Sequence, residues 1–136
     1  MKWQTRIAFL YPPLSGAIFI GLGVLTLIRP EVLEYYSVGV GSAPARNAIR
    51  AMIGGGEIGI GIVLLGGLKL GFSVRQRCIL AATIFICVGL ARLLSAGFEG
   101  DLHLMSQPLR EASIELILGC FGVLAAIVTR KAEMNG

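Results

Sequence analysis

Five ionisable residues interrupt stretches that are otherwise apolar: Arg50, Glu57, Arg92, Glu111 and Glu115. The chemistry open to such a set is limited. An arginine can hold a carboxylate through a planar fork of two hydrogen bonds. A carboxyl kept from water can trade protons near neutral pH, and an arginine beside it can stabilise an anion. Arg46, Arg50, Gly54, Glu57 and Gly61 recur at spacings of three and four, so on a helix they share one face. Two arginines then face three carboxylates. The acid left over is Glu57, the most enclosed by apolar neighbours, which is expected to keep its proton or to pair with a ligand.

The glycines around Glu57 invite a different reading. Gly54-Gly55-Gly56-Glu57-Ile58-Gly59 matches the dinucleotide-binding pattern G-x-G-x-x-G. That pattern cradles a pyrophosphate only between a strand and a helix of a βαβ unit. No strand pattern precedes it here, and the residues that follow continue an apolar helix. The glycines are therefore helix-packing positions: Gly54, Gly55, Gly59 and Gly61 on one helix, Gly119 and Gly122 on another. Gly55 and Gly59 also form a GxxxG pair suited to a neighbouring helix or subunit. The sequence contains no Ser/His/Asp triad, phosphate loop or haem-binding histidine pair.

The elements that must carry these residues follow from composition. Of 136 residues, 55% are hydrophobic and 15% charged, with a mean hydropathy of +0.80. A soluble domain averages about 45–50% apolar and roughly 25% charged, and a chain this short cannot hide the excess in one core. Four apolar runs predict helices over about 7–28, 44–69, 77–98 and 108–130, each near the roughly 17–25 residues that cross a bilayer. The fold class expected is all-α: a four-transmembrane-helix bundle forming one integral membrane domain over 1–136. The first run is too long for a signal peptide and has no small-residue cleavage site, so it reads as a retained helix.

Charge sets the orientation. Lys2, Arg6, Lys69, Arg75, Arg77, Arg130 and Lys131 fall on one side of four crossings, whereas Glu31, Glu34, Glu99 and Asp101 fall on the other. Positive charge stays cytoplasmic, so both termini are expected there, in the inner (plasma) membrane. The net charge of +4 is this inside bias and requires no nucleic acid. Pro44 and Pro108 suit first helical turns, with Ser42 and Ser106 as caps. Pro12-Pro13 offers a later start for the first helix, leaving Trp3 to Tyr11 partly in the headgroup layer. Tyr35-Tyr36 suits an interfacial anchor. Cys78, Cys87 and Cys120 read as small apolar fillers. His103, with Glu99 and Asp101 near, lacks metal-ligand spacing, so neither metal nor cofactor is expected.

In that frame the five charges gain a common depth. Arg92 lies six residues before Phe98, and Glu57 six after Ala51, so at ~1.5 Å per residue each is about 9 Å below the outer boundary. Glu115 and Glu111 open the last helix on the same side. Glu111, Glu115, Gly119, Gly122 and Ala126 form one face, acids first and small residues after. A charge at the bilayer centre costs about 2.5–3.5 kcal/mol even on the lenient insertion scale, and such residues mark functional sites unless they only register helices. The first helix carries no charge, so it is expected to face lipid or to screen the cluster.

"RNAIRAMIGGGEIGIGIVLLGG", with Asn47, Arg50, the glycines and Glu57, together with "GLARLLSAGFEG" and the acidic start of the last helix, resembles a bacterial family of small four-helix membrane proteins known as domain of unknown function 4345. The likeness covers nearly the whole chain. Arg50-Ala51 followed by Glu57 is also similar to the second-helix motif of the membrane-associated eicosanoid and glutathione metabolism family, whose members form four-helix trimers. There the motif runs Arg-Ala-His-x-Asn-x-x-Glu and helps to bind glutathione. Met52 and Gly54 stand here in place of the His and Asn.

Two functions are therefore expected to compete. In the first, the chain is a binding or accessory subunit. It holds a lipid-like ligand through Asn47, Arg50, Glu57, Arg92, Glu111 and Glu115, or docks as a homo-oligomer or on a larger membrane complex. In the second, it is a membrane enzyme acting on a lipophilic substrate, with Glu57 or Glu115 as general acid/base and Arg92 as the anion-stabilising group. A proton-coupled transporter is disfavoured, because four helices without an internal repeat are few.

Overall fold

A computed structural model describes residues 3–36, 38–99 and 106–134, and these are all-helical with no strand. Four helices are long and apolar enough to cross a membrane: Arg6–Ile28, Ala43–Gly66, Val74–Phe98 and Ser106–Lys131. Within an apolar 18-residue window of each, only 22 to 33% is buried inside the chain, the make-up of a multi-pass membrane protein.

The first span lies in α1, Trp3–Ile28. It does not start late at Pro12-Pro13; the prolines sit in its interior. Pro12 cannot donate to Ala8 O, four residues back. The carbonyl so released accepts the Cys78 thiol at 3.7 Å, and Pro12 itself is fully buried. A 3₁₀ helix, Pro30–Tyr36, follows and carries Tyr35 and Tyr36 edge to face at 5.1 Å.

The second span is composite. α2, Ala43–Ile49, starts at Ser42, whose Oγ accepts from Ala45 N at 3.2 Å with Pro44 in the first turn. A π-helical segment, Arg50–Gly55, joins it to α3, Gly56–Gly66. Three consecutive glycines leave few side chains to resist the wider i→i+5 turn. The span stops short of Lys69 because Lys69, Leu70 and Gly71 N–H groups close tight turns on Gly66, Gly67 and Leu68, with Gly71 at φ +85°. Only glycine enters that left-handed region freely.

α4, Val74–Glu99, begins three residues earlier than periodicity predicts. A capping box sets its start: Gln76 N donates to Ser73 Oγ at 3.2 Å and Ser73 N to Gln76 Oε1 at 2.8 Å. α5, Ser106–Met134, extends past 130 by continuing its last turns through Lys131.

Contacts divide the chain into two compact units. One runs Pro13–Gly71. In it α1 and the second span approach through two reciprocal glycine pairs. A Cβ on Gly16 would stand 3.0 Å from Gly61 O, and one on Gly61 2.7 Å from Gly16 O. A Cβ on Gly23 would stand 2.6 Å from Gly54 O, and one on Gly54 3.1 Å from Gly23 O. Both pairs are seven residues apart on each helix and run antiparallel, so the backbones touch where side chains are missing. Leu64 is fully buried in this unit.

The other unit joins α1 up to Pro12 with the chain from Phe72 onward. α4 and α5 pack along their length. Ala8, Val74, Cys78, Ala125 and Ala126 form its buried core, with Tyr11 and Val128 against it. Tyr11 donates its hydroxyl to Leu118 O at 3.0 Å. Gly122 makes that possible: a Cβ there would stand 2.5 Å from the hydroxyl.

Candidate functional site

Three of the five charges come together in the α4–α5 unit. Arg92 donates Nε to both Glu115 carboxylate oxygens, each at 3.0 Å, and its Nη1 pairs with Glu111 Oε2 at 3.0 Å. Glu111 and Glu115 are one turn apart on α5, so both can reach the same guanidinium. Gln107, a further turn back, donates Nε2 to Glu111 Oε1 at 3.3 Å. Glu111 thus has one oxygen in a hydrogen bond and the other in an ion pair that is not a hydrogen bond. The side chains are 29, 17 and 18% exposed for Arg92, Glu111 and Glu115. One cation therefore faces two acids, partly removed from water, where ion pairing is stronger than at an open surface.

Arg50 and Glu57 belong to the Pro13–Gly71 unit. Arg50 spends its Nε on Leu27 O at 3.0 Å. The last carbonyls of α1 have no intrahelical partner, and a cation there also meets the negative end of the helix dipole. Arg46 similarly ties Nη1 to Val40 O and Gly41 O, at 3.1 and 3.2 Å, just ahead of α2. Glu57, in the first turn of α3 after the π segment, is half-buried; its Oε2 is buried without a hydrogen-bond partner among the described residues. Asn47 is exposed on α2.

The packing glycines differ among themselves. Gly54 and Gly61 meet α1 as described; Gly119 meets Ile86 and Gly122 meets Tyr11, both at 2.5 Å for an added Cβ. An added Cβ at Gly55 would touch only Arg50 O of its own turn, at 3.7 Å, and one at Gly59 would meet nothing within 4 Å. Among the described residues, no group of three or more His, Cys, Asp or Glu could hold a metal ion. Asp101 and His103 lie outside the described residues.

Four features went unread in the sequence although their signals are present. Gln107 stands four residues before Glu111. Ser73-x-x-Gln76 is a capping-box pattern. Gly16 and Gly23 repeat the seven-residue spacing of Gly54 and Gly61. Gly89 backs onto Leu116, 2.9 Å from an added Cβ.

Residues 10–126 match the family described as Domain of unknown function (DUF4345). No curated protein and no solved structure matches the chain.

Proposed function

The chain belongs to the family described as a domain of unknown function (DUF4345), and within it we propose a membrane-embedded binding or accessory protein rather than an enzyme. It holds a lipid-like ligand, or a helix of a larger membrane complex, that brings a hydrogen-bond donor or cation to Glu57. The observation that carries this reading is Glu57 Oε2, buried without a donor among the described residues while Arg50 is committed to Leu27 O. An acid left in that state within an apolar span is costly unless something supplies its partner. Arg92 supports the same reading: its Nε and Nη1 already hold carboxylates, which disfavours a catalytic anion-stabilising role. The open side of Gly59 offers room for a close helix.

The orientation that goes with this reading places both termini on the cytoplasmic face of the inner membrane, because seven of the twelve basic residues then lie inside. Reporter fusions at either end check it.

The test is gentle purification followed by native mass spectrometry of the wild type and Glu57→Gln. The wild type is expected to carry a lipid-like molecule or a partner that the variant loses, with the variant's thermal unfolding unchanged. A wild type that carries neither, or a variant that loses nothing, overturns the reading.

A further inference from the structure

A groove of about 250 Å³ runs between α4 and α5 at the end of the helices remote from Arg92. On α4 it is lined by Arg75, Ile79, Ala82, Thr83 and Ile86, which recur at helical spacing on one face. On α5 it is lined by Val123, Ala126, Ile127 and Arg130, again one face. Ala82 and Ala126 are buried and form the floor, while Ile79, Val123 and Ile127 are exposed walls. Small residues below and branched residues to either side make an apolar channel.

The two arginines make the channel specific. Arg75 stands in the first turn of α4 and Arg130 in the last turns of α5, so both are at the same membrane boundary. Neither bonds or pairs with any described residue, and no acid lines the groove. From Arg75 to Ile86 is eleven residues, about 16 Å along the helix, close to the roughly 15 Å hydrocarbon depth of one leaflet. A paired positive charge at the headgroup level, above an apolar channel one leaflet deep, is complementary to one kind of molecule.

We propose that this groove binds an anionic phospholipid, its phosphate held by Arg75 and Arg130 and one acyl chain laid over Ala82 and Ala126. The arginine fork matches phosphate oxygens, and basic pockets between membrane helices select anionic headgroups. The site shares no residue with Glu57 or the Arg92 cluster, so it stands or falls apart from the function proposed above.

The full chain, purified in a non-ionic detergent, is titrated in native mass spectrometry with phosphatidylglycerol, with phosphatidylcholine of the same acyl chains, and with inorganic phosphate. One phosphatidylglycerol per chain is expected, preferred over phosphatidylcholine and not displaced by excess phosphate. Each arginine contributes about fivefold, so Arg75→Gln with Arg130→Gln weakens phosphatidylglycerol roughly 25-fold on the same basis. Lysine at both positions keeps the charge but not the fork, so it binds between the wild type and the double Gln variant. Thr83→Trp, filling the exposed groove with both arginines intact, weakens it independently of any folding defect in the charge variant, and Lys69→Gln, outside the groove, does not. Unchanged binding in the double Gln variant or in Thr83→Trp overturns the proposal. So does full competition by inorganic phosphate, or a Thr83→Cys variant that cross-links into a dimer across the groove with no lipid bound.

Discussion

Arg92 spans the carboxylate of Glu115, its Nε 3.0 Å from each oxygen, so a single guanidinium ties the final turns of α4 to the third turn of α5. Its other arm takes Glu111. The helix sets the acids one turn apart, the arginine between them offsets their repulsion, and that repulsion is unmasked whenever the arginine is removed.

Arg92→Gln is therefore expected to destabilise the protein by about 1–3 kcal/mol, less than for a fully buried pair because the group is partly exposed. Adding Glu115→Gln should restore part of the loss, since the second carboxylate is then neutral. Thermal unfolding in detergent of the two single variants and the double variant gives the coupling. Additive losses would mean that the contact carries no interaction energy.

The reciprocal glycine pairs give a sharper contrast. Gly23→Ala places a methyl 2.6 Å from Gly54 O, and overpacking of this kind costs about 1–3 kcal/mol. Gly59→Ala meets nothing and should be neutral or stabilise by up to roughly 1 kcal/mol through helix propensity. Unfolding midpoints in detergent rank the two. Equal effects would show that α1 and the second span do not depend on that approach.

Long apolar runs make the four spans legible in the chain, and the pairing of Glu111 with Glu115 is legible from their four-residue spacing. Arg50 is harder. Its spacing to Glu57 points to a carboxylate, yet the end of α1 offers an unsatisfied carbonyl, and no one-dimensional pattern announces which acceptor is nearer. The π segment has no periodicity of its own, so Arg50–Gly55 reads as ordinary helix. The uncharged run 7–28 suggests a lipid-facing screen, and much of it is exposed; its packing role emerges only when Gly16 and Gly23 are paired with Gly61 and Gly54. Pro12-Pro13 misleads for the opposite reason: the cost of a proline inside α1 is offset by a donor seventy residues away, Cys78.

That donor makes the three thiols unequal. Cys78 is fully buried, whereas Cys87 and Cys120 are exposed. A lipid-soluble thiol reagent is expected to modify two cysteines in the folded protein and the third only after unfolding, as counted by intact mass. Cys78→Ala should lower stability by about 1 kcal/mol by stranding Ala8 O, which Pro12 cannot satisfy. Three modified thiols under native conditions would contradict this packing.

Tyr11 and Gly122 form the last coupled pair. The hydroxyl reaches Leu118 O at 3.0 Å through the space that Gly122 leaves. Tyr11→Phe alone should cost about 0.5–1.5 kcal/mol for the lost hydrogen bond. Gly122→Ala should cost more, because its Cβ would stand 2.5 Å from that hydroxyl, 2.7 Å from Cζ and 2.8 Å from Ala82 Cβ. Combining them removes the closest of these clashes and leaves the other two, so the double variant should be more stable than the sum of the single losses yet below Tyr11→Phe. Equilibrium unfolding of the four proteins measures that partial rescue. A double variant no better than additive would mean that the hydroxyl is not what Gly122 accommodates, and that the glycine serves the α4–α5 contact at Ala82 alone.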